Sequence, residues 1–293
     1  MDFKKLFSIK NRKKARKKRP EYQDQDVRPS LPQSRPRALT MHGSGQQAAG
    51  LLGRLPIELR LRIYDDVLGH RKVHLAFEFG PREYRTNKYR EHVEWRWWHC
   101  ICTWGQIDEI YWDRPDHCRS GRVGGTQGPP NGMMGKLKLD FAILLTCRQV
   151  YSEAVDVLYS TTTFDFASRQ LLCSFPSLVL PHRFALISAI DMRWDFVGLS
   201  EPVINAADRQ LYYNMWGILA AMPHLRRIKI RLTTYECPSH VEPDLQEVWL
   251  GPLKQLGRKD FFEFLIPESY AMRFTVDQDS NFTLTTYLSK SWP

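Results

Sequence analysis

The residues best suited to chemistry in this chain are soft metal ligands, His99-Cys100-Ile101-Cys102 followed by His117-Cys118. Thiolates and imidazoles in that number can hold one zinc ion, but paired zinc cysteines normally stand roughly two to four residues apart. Cys-x-Cys beside an adjacent His-Cys departs from that spacing. The expectation is therefore buried or half-buried thiols in a tryptophan-rich stretch, with no metal. Gly132-Met133-Met134-Gly135-Lys136 has the outline of a phosphate loop. It fails as one, because Pro130 stands where the first glycine is needed and Leu137 where a hydroxyl would hold magnesium. No HExxH, GxSxG or GxGxxG pattern occurs. Cys147 and Cys173 lie in apolar helical contexts and read as core filler, and Asn281 reads as a turn residue before a strand. No catalytic residue, cofactor or metal ligand is predicted, so the expectation is a protein that is not an enzyme.

The charge is unevenly placed. Of the formal net +10, residues 1–40 hold 13 Lys/Arg against 4 Asp/Glu, and the remaining residues hold 29 against 28. A folded nucleic-acid-binding body would carry its own basic surface, so nucleic acid is expected only through the tail. Within the tail, Arg12, Lys13, Lys14, Arg16, Lys17, Lys18 and Arg19 form one dense block. Like charges at that density repel and bury nothing, which predicts a solvated, disordered segment. An extended basic peptide suits the acidic grooves of import receptors, which predicts a nuclear-import signal and a nuclear address, with the cytoplasm as the alternative. A membrane-surface patch is a second reading, since Phe3, Leu6 and Phe7 lie beside the charges. A solubilising tail is the third.

No stretch approaches the roughly 18–20 apolar residues of a spanning helix, so no transmembrane segment is expected. The opening MDFKKLFSIK lacks the apolar core of a secretory signal, and six cysteines are too few for a disulfide scaffold. Reduced thiols are expected. Pro20, Pro29, Pro32 and Pro36, then Gly43-Ser44-Gly45, give residues 1–49 the composition of a tail and linker ahead of one domain at 50–293.

That domain alternates apolar and polar residues at period two in several places: Val73 to Phe79, Ile190 to Phe196, Ile228 to Leu232, Met272 to Val276 and Phe282 to Leu284, with a shorter strand at 162–166. Helical spacing covers 141–159 and 207–222, and a further helix is expected over 253–265; Pro176 makes 169–180 ambiguous. Residues 80–136 read as an insertion, tryptophan-rich first and a glycine- and proline-rich loop later. Parallel strands covered on both faces usually read as continuous apolar runs. Alternation predicts helices on one face only: an α+β fold with a curved, mixed sheet, like an irregular leucine-rich-repeat arc. An antiparallel α+β sheet is the alternative.

Two segments carry a resemblance. The first, residues 55–68, reads LPxELRxxIYxxVL; its proline marks a helix start, and it places Leu55, Leu59, Ile63 and Val67 on one side and Leu61, Tyr64 and Leu68 on another. The second, residues 144–166, reads LLTCRQxYxEAxxxLYxxxxFxF. The first resembles the opening of an F-box, and the two together resemble a large F-box-like family of domains of unknown function from filamentous fungi. The resemblance implies a protein–protein interaction module, a substrate-recognition adaptor of a cullin-type ubiquitin ligase. Leu55, Pro56, Leu59, Ile63 and Leu68 would then bury against a Skp1-type adaptor. Arg60, Glu58, Arg148 and Glu153 stand out as polar positions within the motifs; Arg148 would pair with a carboxylate or cap backbone carbonyls, a structural role, and nothing there argues for catalysis. The polar strand positions Asp191, Arg193, Lys229 and Arg231 would face either a client or solvent. The alternatives are a nuclear nucleic-acid- or chromatin-associated protein acting through its tail, and a structural domain.

Overall fold

The computed structural model describes residues 30–31, 51–81, 93–102, 139–166, 168–196, 206–234, 245–257, 259–277 and 279–287. The basic block at 12–19 lies outside them. A single turn, α1 (Leu51–Arg54), leads to α2 (Ile57–Leu68), with Pro56 at its N-cap. The Gly69 N–H closes α2 on the Asp65 carbonyl, His70 takes a positive φ of 54°, and β1 (Lys72–Pro81) begins almost at once. β2 (Val93–Ile101) runs back along β1. A 3-10 turn at Phe141–Leu145, capped by Asp140, precedes α3 (Arg148–Thr161), whose N-cap is the Cys147 sulfur accepting from the Val150 N–H.

The rest repeats one theme. β3 (Thr163–Phe166) is followed by α4 (Arg169–Leu178) and α5 (Pro181–Leu186), then β4 (Ala189–Phe196), α6 (Ala206–Ala220), β5 (Arg227–Thr234), α7 (Leu245–Lys254), β6 (Phe261–Pro267) and β7 (Thr283–Tyr287). Ser168 caps α4, Pro181 starts α5 where a missing N–H is harmless, and Pro176 sits late in α4.

The seven strands order as β2-β1-β3-β4-β5-β6-β7, parallel throughout except for the β1–β2 hairpin. Each new parallel strand is laid on the same side of the last. Crossovers of the usual right hand, added in one direction, place their helices on a single face. Side-chain phase agrees with that arrangement. Ile190, Met192 and Trp194 of β4, and Ile228, Ile230 and Leu232 of β5, are buried with Leu172, Met215 and Leu253 of the helices. Burying each such aliphatic side chain stabilises the fold by about 1.5–3 kcal/mol. The fold is thus α+β with helices layered on a mostly parallel sheet. A smaller second core joins α2 and α3 to β1 through Tyr64, Leu68, Val73, Val150, Ala154 and Leu158.

Three elements differ from expectation. The helix expected over 253–265 is the end of α7 followed by strand β6. Phe261 to Ile266 is nearly continuous in apolar residues, and Leu265 is buried although it lies on the opposite face from Phe264, so no alternation marks it as a strand. Residues 272–276 are not a strand: Phe274 and Val276 pack into the core, but β7 takes the place beside β6. Alternation there reports burial without strand pairing. The tryptophan-rich start of the 80–136 insertion is the edge strand β2, with Trp95 and Trp97 packed on Phe77; residues 82–92 and 103–138 lie outside the described set. Inside the stretch expected as tail and linker, the Leu31 N–H donates to the Ser177 carbonyl at 2.8 Å, one of the carbonyls α4 leaves open at its C-terminus.

Candidate docking surface

α2 has an inner side set by i+4 spacing, formed by Arg60, Tyr64 and Leu68, all buried. Tyr64 and Leu68 fill the smaller core. Arg60 is held by its partners. Its Nε and Nη2 donate to the two carboxylate oxygens of Glu153 on α3, each at 2.9 Å, and Nη1 donates to the Leu55 carbonyl at 2.6 Å. The Tyr64 hydroxyl donates to Glu153 Oε2 at 3.0 Å, and Gln149 Nε2 donates to Oε1 at 3.1 Å. A carboxylate taken out of water needs this many donors to stay ionised. Burial alone would raise the Glu153 pKa, but the hydrogen bonds from Arg60, Gln149 and Tyr64 outweigh it, and the net shift is downward. Burial, reinforced by the Glu153 carboxylate, pushes the Tyr64 phenol up to about 12.

Arg60 and Tyr64 come from the first motif, as does the Leu55 carbonyl, and Gln149 and Glu153 from the second. Glu58 and Arg148, the other polar positions noted in the sequence, are exposed. The ion pair therefore orients α2 on α3, and the two segments that carry the resemblance are one structural unit.

The outer side of α2 is mixed: its crest carries Glu58, Arg62 and Asp66, the last two paired at 3.5 Å, and apolar residues stand exposed on its two flanks. Leu59 is 52% exposed, Leu61 40%, Ile57 39% and Val67 38%. Leu59 and Val67, with half-buried Leu55 and Ile63, follow one flank of the buried stripe; Ile57 and Leu61 follow the other. Of the five residues expected to dock, Leu59 and Pro56 are exposed, and Leu55 and Ile63 are half-buried. Leu68 is corrected: it is 0% exposed and belongs to the inner core, because the i+4 series from Arg60 turns it inward. Leu61 likewise leaves the Tyr64–Leu68 side on which the sequence placed it, Arg60 taking that place. Ile57 and Leu61 were not among the expected docking residues, nor was Leu145 of the second motif, which is 83% exposed. Their hydrophobicity was visible in the sequence; which way α2 rolls on α3 was not.

Opposite the helices, the polar positions of the strands meet in register. One row runs Cys100, His74, Asp165, Asp191, Lys229, Glu263 and Thr283, one residue from each strand. His74 Nδ1 lies 2.8 Å from Asp165 Oδ2, Lys72 reaches Asp191 at 2.8 Å and Asp165 at 3.6 Å, and Lys229 reaches Glu263 at 3.0 Å. Asp191 and Lys229, two of the positions expected to face a client or solvent, thus already have partners within the sheet, and with Arg193 and Arg231 they are half-buried. The His74–Asp165 pair gave no sequence signal beyond its polar phase, since its members lie on strands far apart in the chain.

The candidate zinc ligands separate. His99 faces the helix side and packs on Phe141 at 4.7 Å, while the adjacent Cys100 lies in the polar row beside His74. His117 and Cys118 lie outside the described residues, as does the basic block Arg12 to Arg19, expected from its sequence to be an import signal. Among the described residues no group of three or more His, Cys, Asp or Glu could hold a metal ion, and no helix is long and apolar enough to cross a membrane.

Taken together, these features define a class: an α+β domain with helices on a mostly parallel sheet, led by a helix pinned through an Arg–Glu pair. The chain belongs to the family described as Domain of unknown function (DUF7730), whose model matches residues 44–286, from before α1 into β7. No curated protein matches it, and no solved structure does.

Proposed function

We propose that this chain is a non-enzymatic protein–protein interaction module in which the outer side of α2 docks on a Skp1-type adaptor of a cullin ubiquitin ligase, in the manner its LPxEL segment resembles. The observation that supports this is the exposure of Leu59 at 52%, with Val67 on the same flank, on a helix whose inner side is fixed. A helix held on one side only by its own domain leaves apolar surface whose burial by a partner is favourable. The ion pair between Arg60 and Glu153 supplies pre-organisation, because a pinned helix loses little conformational freedom on binding. In this reading Leu59 and Val67 make the contact along one flank with half-buried Leu55 and Ile63, Pro56 borders it, Ile57 and Leu61 lie on the other flank, and Leu68 supports it from within. Copurification of the full chain with a Skp1-type protein tests this. Salt-tolerant association that Leu59→Asp abolishes supports it, and no association refutes it.

A second reading rests on the tail. Its 13 Lys/Arg against 4 Asp/Glu within residues 1–40 would serve as an import signal and as a contact to nucleic acid in the nucleus. Binding of that kind weakens steeply with salt and disappears when residues 1–29 are removed, a cut that spares the contact between Leu31 and Ser177.

A further inference from the structure

The two cores do not close on each other. Between them lies a cavity of about 300 Å³, walled by Val73 and Leu158 of the smaller core, Phe164 and Phe175 of the larger, and Leu75, which packs against both. The space is a cleft, open to solvent on one side. Clefts that take small organic ligands start at roughly 300 Å³, and one at that lower end suits a bicyclic ring system.

Its walls indicate the chemistry of the occupant. Among the described lining residues, ten of twelve are apolar, none is Asp, Glu, Lys or Arg, and six carry rings. Ring walls favour a flat aromatic guest through offset and edge-to-face contacts. An ionised group would lose its hydration with no opposite charge to meet it. Among the described wall residues the polar side chains are His99 and Tyr159, and burial raises the Tyr159 pKa. The wall reaches the surface at Trp97, 44% exposed, and at half-buried Leu178 and Val179, which gives a way in between β2 and the end of α4.

We propose that the cavity between β1, β2, α3 and α4 is a binding site for a neutral aromatic molecule of bicyclic size carrying one or two hydrogen-bonding atoms. The site is separate from the outer side of α2, and the proposal does not depend on adaptor docking.

Calorimetric titration of the full chain with 2-naphthol, alongside naphthalene-2-sulfonate, tests it. The expected result is saturable one-to-one binding of the naphthol and at least tenfold weaker binding of the sulfonate. Val179→Trp and, separately, Leu75→Phe fill the space and should each weaken naphthol binding at least tenfold, while Leu59→Asp leaves it unchanged. Absence of saturable naphthol binding, equal binding of the sulfonate, or undiminished binding in both filled variants overturns the proposal. The comparison of naphthol with sulfonate uses the wild-type chain and decides the matter even where a filled variant fails to fold.

Discussion

Arg60 and Glu153, 93 residues apart in sequence, are joined by two hydrogen bonds of 2.9 Å each, side by side between guanidinium and carboxylate. This pairing converts two short motifs into one unit. It fixes which side of α2 faces α3, and so determines that Leu59 and Val67 are left outside. Arginine suits the position because a planar fork matches a carboxylate at two points, which a lysine ammonium cannot do.

Acid should loosen this unit in a way that one variant isolates. The Glu153 pKa is lowered in the folded chain, so as pH falls the unfolded chain takes up the proton first. Its stabilisation is complete above the ordinary carboxylate pKa and is lost as pH drops through the lower folded value. Urea midpoints measured from neutral pH downward should fall more steeply for the wild type than for Glu153→Gln, which is already weaker at neutral pH. Parallel slopes would contradict the assignment.

Tyr64→Phe removes one donor to Glu153 and leaves the ring in the core. The expected loss is about 1 kcal/mol, read from urea unfolding at neutral pH.

At Gly69 space is the constraint. A Cβ there would stand 2.2 Å from Asp65 Oδ1, 2.7 Å from the Asp65 carbonyl oxygen and 2.8 Å from Thr161 Oγ1, while its φ of −79° is ordinary. Gly69→Ala should destabilise by about 1–3 kcal/mol, as overpacking does. Adding Asp65→Ala should recover only part of the loss, because the carbonyl remains.

The two sides of α2 should respond differently to the same truncation. Leu68→Ala opens a hole in the smaller core and should cost about 2–5 kcal/mol. Leu59→Ala, on the outer side, should stay within about 0.5 kcal/mol of wild type by thermal or urea melting.

How much of this was legible depended on whether the signal was local. The strands at Ile190 to Phe196 and Ile228 to Leu232 announced themselves by alternation, because one face is apolar and the other carries charges. β6 did not, because Leu265 is buried on the second face as well. β2 was missed as a strand because its tryptophans suggested an insertion, and only its pairing with β1 defines it. For the candidate site, the oily character of α2 was plain, and Arg60 and Glu153 stood out as charges in apolar helices. Their partnership was not readable, since it depends on how α2 and α3 meet. The same holds for His74 and Asp165, and for the cavity, which exists only where two separate cores approach.

The central claim is that the outer side of α2 binds a partner while its inner side holds the fold. Its most direct test is calorimetric titration of the full-length wild-type chain and of Leu59→Asp with a purified Skp1-type adaptor at high salt. The account predicts saturable binding by the wild type and a loss of about 2 kcal/mol or more, roughly thirty-fold, in a variant that still melts cooperatively near the wild-type temperature. No binding by the wild type, or equal binding by both chains, would contradict it.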